Sequence, residues 1–161
     1  MKKTRMEISV DRCTGCRSCE TACSFLYTGT YNPALSRVRV LSEQAICLSV
    51  PSLCMHCDDA PCAAACPEDA LYREQDRDTV VLKEADCVGC GLCVEACPYG
   101  AMHSDEAGGV AFKCELCGGN PECIKVCAPG ALRLVTDFQI DPARQNAVMK
   151  ALQEQLVAND R

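Results

Sequence analysis

Seventeen cysteines stand in a chain of 161 residues, and sixteen of them fall in four groups of four. The groups are Cys13, Cys16, Cys19 and Cys23; Cys54, Cys57, Cys62 and Cys66; Cys87, Cys90, Cys93 and Cys97; and Cys114, Cys117, Cys123 and Cys127. Only Cys47 lies apart. Thiols this close can cross-link, chelate single ions, or hold a larger metal group. A disulfide scaffold belongs to small secreted chains. Here the count is odd, the CxxC pairs are too short for cross-chain staples, and the opening MKKTRMEISVDRC lacks the apolar run of a signal peptide. Zinc takes four ligands, typically as two CxxC pairs parted by a longer spacer, and close triplets plus one would crowd a tetrahedral ion. Triplets plus one, repeated four times, suit cuboidal iron–sulfur clusters instead.

The spacing has a mechanical reading. Residues 87–98, CVGCGLCVEACP, form C-x2-C-x2-C-x3-C-P, the run of bacterial two-cluster ferredoxins in which the fourth cysteine ligates the other cluster. Three cysteines two residues apart wrap one corner of a cluster, and Gly89 and Gly91 let the backbone close in. The fourth sits on a short helix expected to begin near Val94 and to stop at Pro98. The first group keeps this spacing, with Ser24 in place of the proline. The second reads C-x2-C-x4-C-x3-C-P and the fourth C-x2-C-x5-C-x3-C, with Pro61 and Pro121 in the wider gaps. Each insertion widens a ligand loop and leaves the set of four intact. The expectation is four [4Fe-4S] clusters with all sixteen cysteines as iron ligands, taking the formal charge from −6 to about −14.

The elements that position these loops must be small. Leu, Ile, Val and Phe number 33 and Trp is absent, so side-chain burial alone is at the edge of what folds a chain. Strands are expected at Met6–Val10, Arg37–Leu41, Val110–Phe112 and Leu132–Val135, with a hairpin of Leu71-Tyr72 and Thr79–Leu82 around a charged turn. CPEDAL, CPYGAM and CAPGAL repeat one local device after three of the motifs. The fold class is α+β. The tail has Asp141 as a helix cap, Pro142 at the first helical position, and Ala147, Val148, Ala151, Leu152 and Leu156 on one face. It reads as a helix that packs on its own modules or docks a partner or a second copy. The acidic balance without a Lys/Arg run excludes nucleic acid, and no run is long enough for a membrane span.

With these motifs in view, the chain resembles the four-cluster ferredoxin-like subunits of molybdopterin and tungstopterin oxidoreductases and of hydrogenases. CTGCRSCETACSFLYTGTYNPALSRVRV and CMHCDDAPCAAACP most resemble the small subunits of tungsten-dependent aldehyde oxidoreductases. The resemblance implies two pseudo-symmetric modules: an outer one from 1–50 and 107–138, an inner one inserted at 51–106, and a helical tail at 139–161. It also implies ligand exchange. Cluster 1 takes Cys13, Cys16, Cys19 and Cys127, and cluster 2 takes Cys54, Cys57, Cys62 and Cys97. Cluster 3 takes Cys87, Cys90, Cys93 and Cys66, and cluster 4 takes Cys114, Cys117, Cys123 and Cys23. The implied function is electron transfer between a larger catalytic subunit and another redox partner in the cytoplasm, with no catalytic residue on this chain. A hydrogenase or carbon monoxide dehydrogenase system, or a free polyferredoxin, is the alternative.

Four side chains stand beside these sets. Cys47 reads as a small buried hydrophobe. His56 reads as solvent-facing or, more sharply, as a donor to a cluster sulfur, with His103 a weaker case of the same kind. Tyr99 is expected against a cluster, and Gly118-Gly119 are expected to serve the wide fourth loop.

Overall fold

The computed structural model describes residues 3–104 and 109–136. Among these, the strands form four two-stranded antiparallel sheets. β1 (Thr4–Ile8) pairs with β8 (Leu132–Thr136), bringing the ends of the described chain together. β2 (Arg39–Glu43) pairs with β3 (Leu48–Ser52), β4 (Leu71–Glu74) with β5 (Thr79–Leu82), and β6 (Met102–Ser104) with β7 (Ala111–Lys113). The helices are α1 (Ser18–Thr28), α2 (Pro61–Ala64), α3 (Leu92–Glu95) and α4 (Glu122–Lys125). α1 packs on α4 and α2 on α3.

Strand positions differ from expectation for local reasons. β1 ends before Ser9 because a 3-10 turn, Val10–Arg12, must deliver Cys13, while the Ser9 N–H donates to the Ala131 carbonyl at 2.8 Å. β2 begins two residues late because the Arg37 N–H is taken by Cys23 Sγ at 3.3 Å and the Val38 N–H by Ser36 Oγ at 3.2 Å. β3 is not expected from the sequence because it contains Pro51, which cannot donate to a ladder. A two-stranded sheet has only edges, and so tolerates it.

Helix lengths follow the prolines. α2, α3 and α4 are four residues each, and each lies just ahead of a fourth cysteine followed within two residues by proline. α1 is eleven residues because Ser24 stands where a proline would stop it, and Gly29 ends it at φ +69°. The longer helix lets Tyr27 reach the fourth motif.

Among the described residues the core has two main parts and a small third one around Val50. One part gathers Met6, Val38, Val40, Leu53, Leu116 and Leu132 around Cys19, Cys23, Cys114 and Cys123. The other gathers Leu71, Val80, Met102 and Ala111 around Cys93, with Cys62, Cys66, Cys87 and Cys97 at its margin. Cysteine sulfur is thus built into both cores. The tail from 137 onward, where the C-terminal helix is expected, lies outside the described residues. No helix among the described residues is long and apolar enough to cross a membrane.

Candidate metal centres

Each ligand loop begins with the same backbone turn. The residue two after the first cysteine of every motif is left-handed: Gly15 (φ +68°), His56 (φ +50°), Gly89 (φ +70°) and Leu116 (φ +56°). This turn lets the second cysteine swing back beside the first. Motifs one and three use glycine there, which accepts the conformation without strain. The two wider motifs use side chains instead, and both are 0 % exposed. His56 therefore does not face solvent, contrary to the sequence expectation; its backbone turns it inward. Its Nδ1 accepts the Val80 N–H at 3.0 Å, so the neutral ring carries its proton on Nε2, which has no partner among the described residues. Burial, then the charges of Lys113 and Arg5, hold its pKa well below the usual histidine value.

The fourth cysteines share a second device. Cys66 Sγ accepts the Ala70 N–H at 3.3 Å, Cys97 Sγ the Ala101 N–H at 3.4 Å, and Cys127 Sγ the Ala131 N–H at 3.2 Å. The residue before each donor is left-handed, Asp69 (φ +49°), Gly100 (φ +56°) and Gly130 (φ +66°), which is what CPEDAL, CPYGAM and CAPGAL have in common. Cys23 lies inside a helix and lacks that turn, yet its Sγ receives the Arg37 N–H at 3.3 Å. All four fourth sulfurs are thus supplied with a backbone donor, an arrangement that favours thiolate over thiol.

The sulfurs are also drawn together across the chain. Cys66 lines one small cavity with Cys87, Cys90 and Cys93, walled by Leu71, Leu82 and Ala111. Burial, then the charges of Cys54, Asp59 and Cys97, pushes the Cys57 thiol up to about 11. Cys62 is raised by burial and by Cys54 and Cys97. Burial raises Cys123, with Cys114, Cys117, Cys23 and Cys19 adding to it. Cys19 is pushed up to about 12 by burial, with Glu20, Cys13 and Cys16 contributing. Thiols crowded and buried in this way resist ionising alone; a cation that takes the thiolate relieves both penalties. The donor set, all sulfur in apolar walls with backbone N–H groups aimed at it, fits iron–sulfur clusters.

Polar side chains fasten the setting. Tyr27 Oη donates to Cys117 Sγ at 3.6 Å, and the Arg37 guanidinium lies 3.5 Å over the Tyr27 ring. Glu20, 2 % exposed, accepts the Val40 N–H at 2.5 Å and so ties α1 to β2. Asp78 holds Arg5 at 3.0 Å and Arg73 at 3.1 Å, joining β1 to the β4–β5 hairpin. Gly118 and Gly119, at φ +65° and +96°, form the wide fourth loop as expected. Cys47 departs from expectation. It is exposed, at φ +52° in the β2–β3 turn, because the hairpin that Pro51 concealed carries it away from the core. Tyr99, expected against a cluster, instead packs on Val50 of that hairpin together with Leu41, Leu48 and Val10, a group that holds no cysteine.

Residues 45–137 match the 4Fe-4S dicluster domain, and residues 10–29 match a 4Fe-4S binding domain. The chain belongs to the 4Fe-4S dicluster family. Membership carries more than one [4Fe-4S] cluster, and it agrees with the donor set described above. The chain is similar to the polyferredoxin-like subunit of aliphatic sulfonate oxidoreductase from Pyrococcus furiosus, 41% identical over 132 residues, covering 80% of this chain and 76% of that protein. It is 36% identical over 137 residues to the thiosulfate reductase electron transfer subunit PhsB of Salmonella typhi, covering 76% of this chain and 70% of that protein. Among solved structures, a chain of the active-site complex BamBC of benzoyl coenzyme A reductase with 1,5 dienoyl-CoA superposes with a TM-score of 0.52 at 28% identity. That match covers 88% of this chain and 80% of that one. These family relatives are subunits of oxidoreductases.

Proposed function

We infer that this family member carries four [4Fe-4S] clusters on its sixteen motif cysteines and is the electron-transfer subunit of an oxidoreductase complex. The observation that carries the reading is the pairing of four three-cysteine loops with four fourth cysteines that each accept a backbone N–H. Clusters in full thiolate sets take up and release single electrons. The chain supplies what such clusters need: apolar walls, N–H donors to sulfur, and neighbouring charge. Catalysis belongs to a larger subunit.

The ligand sets proposed are Cys13, Cys16, Cys19 with Cys127; Cys54, Cys57, Cys62 with Cys97; Cys87, Cys90, Cys93 with Cys66; and Cys114, Cys117, Cys123 with Cys23. Support comes from the cavity shared by Cys66 with the third motif. Further support is the influence of Cys97 on Cys57 and Cys62, and of Cys23 on Cys123. The packing of α1 on α4 and α2 on α3 agrees with an outer module of 1–50 and 107–138 around an inner one at 51–106. At the joints, β3 runs across position 50 and β6 pairs with β7 across 106, so hairpins would weld the modules.

The partner proposed is a tungsto- or molybdopterin subunit, of the kind that oxidises aldehydes, working in the cytoplasm. A further redox partner would take up or deliver the electrons, and the 139–161 tail would dock a partner or a second copy. The supporting observations are the first two motifs and the oxidoreductase subunits to which the chain is similar. Metal analysis of the complex purified anaerobically through this chain tests this. Tungsten or molybdenum in a co-purifying larger subunit is the expected result. Nickel in its place, or no second subunit, overturns the partner assignment.

A further inference from the structure

Lys113 is 1 % exposed, at the end of β7 and immediately before the first cysteine of the fourth motif. Its Nζ donates to the Cys114 carbonyl at 3.1 Å and to the Val80 carbonyl. Arg37, which donates to the Lys113 carbonyl at 3.2 Å, takes the carboxylates of Glu84 and Glu115. Among the described residues no carboxylate pairs with Lys113. Within that set the Lys113 ammonium is held by two carbonyls and no carboxylate, and burying a charge is costly unless an anion answers it.

The surroundings show where that anion belongs. Val80, in β5, is gripped on both backbone groups: its carbonyl by Lys113 and its N–H by His56 Nδ1 at 3.0 Å. His56 sits between Cys54 and Cys57. The hydrogen-bonded run from Cys114 through Lys113 and Val80 to His56 therefore joins the fourth motif to the second.

We propose that Lys113 is a fixed internal counter-charge shared by the second and fourth cysteine sets, stabilising the reduced state of the groups held there where the two modules meet. The inference rests on the [4Fe-4S] reading above. Removing the charge while keeping a donor should make those two groups harder to reduce and leave the sets on Cys13 and Cys87 where they were. Burial makes the effect strong, because water does not screen it as it would a surface lysine, and the fall of the interaction with distance favours the two adjoining sets.

The test compares wild type, Lys113→Gln and Lys113→Arg in the complex purified anaerobically, with iron counted and each cluster titrated by electron paramagnetic resonance. K113Q should keep its iron and shift the oxidised-to-reduced ratio of both the second-motif and the fourth-motif cluster at least tenfold at fixed potential, which is about 59 mV for a one-electron couple. K113R should restore most of it. A shift in only one of the two clusters overturns the sharing. Unmoved potentials in an iron-replete K113Q overturn the proposal. So does an equal shift in every cluster, or iron loss in both variants, which would make Lys113 a packing strut. Failure of the parent reading looks different: wild type itself would lack the iron and the reduced-cluster signals.

Discussion

Two ligand-loop glycines, Gly15 and Gly91, are under different constraints. Both are left-handed, but a Cβ at Gly91 meets nothing within 4 Å, whereas one at Gly15 would lie 2.6 Å from Ser49 Oγ and 3.3 Å from Ser49 Cβ. Gly91→Ala should cost about 1–2 kcal/mol of backbone strain. Gly15→Ala should cost about 1–3 kcal/mol more from the clash, and Ser49→Ala should recover part of that excess. Denaturant midpoints for iron release check the order, and equal costs would count against the loop geometry. His103 offers a second residue-scale test. Burial, then Arg39, holds it at about 4 against an ordinary value near 6.5. The unfolded chain then binds the extra proton, so the stability tied to neutral His103 is complete above about pH 6.5 and is lost as pH falls towards 4. His103→Gln should flatten that part of the stability profile relative to wild type, a difference that removes the acid sensitivity common to both. Residue roles are only half legible in the sequence. Sixteen ligand candidates announce themselves by spacing. The inward turn of His56 and Leu116 does not, because it depends on a left-handed backbone that the glycines of the other loops suggest but these side chains conceal.

At the scale of elements, the proline after a fourth cysteine decides helix length. Ser24→Pro should shorten α1 at a cost of about 3 kcal/mol or more, withdraw Tyr27 from Cys117, and reduce the iron retained by the fourth motif. Circular dichroism and iron counts would show it; an iron-replete variant would contradict the role given to α1. The proposed exchange of ligands is tested in the same currency of signals. Cys127→Ser should disturb the cluster built on Cys13, Cys16 and Cys19, while signals from the cluster on Cys114, Cys117 and Cys123 persist. The β4–β5 hairpin is legible because Leu71 and Thr79–Leu82 flank a run of charged turn residues. The β2–β3 hairpin is not, since Pro51 in LSVPS argues against a strand unless the sheet is known to have only edges. The burial expected of Cys47 fails for the same reason: without that hairpin nothing places it in an exposed turn.

For the whole molecule, sulfur and apolar side chains share both main cores, so metal and fold are linked. Stripped of its iron and kept reduced, the chain should be largely unfolded, because buried thiols replace the charge and cross-links that clusters provide. Native-like circular dichroism after chelation would contradict this. Loading should release protons, since the thiols of the unfolded chain keep ordinary values of about 8.5 and stay protonated at neutral pH until iron takes them as thiolates. Whole-molecule function is legible to the level of an electron-carrying subunit; the partner is not, because cysteine motifs that hold clusters carry no mark of a substrate. The most direct measurement is native mass spectrometry of the chain kept anaerobic. It should carry about sixteen irons with an equal count of sulfide, in four increments of one [4Fe-4S] unit each. Zinc-sized increments without sulfide, or two clusters at saturation, would contradict the assignment of all sixteen cysteines.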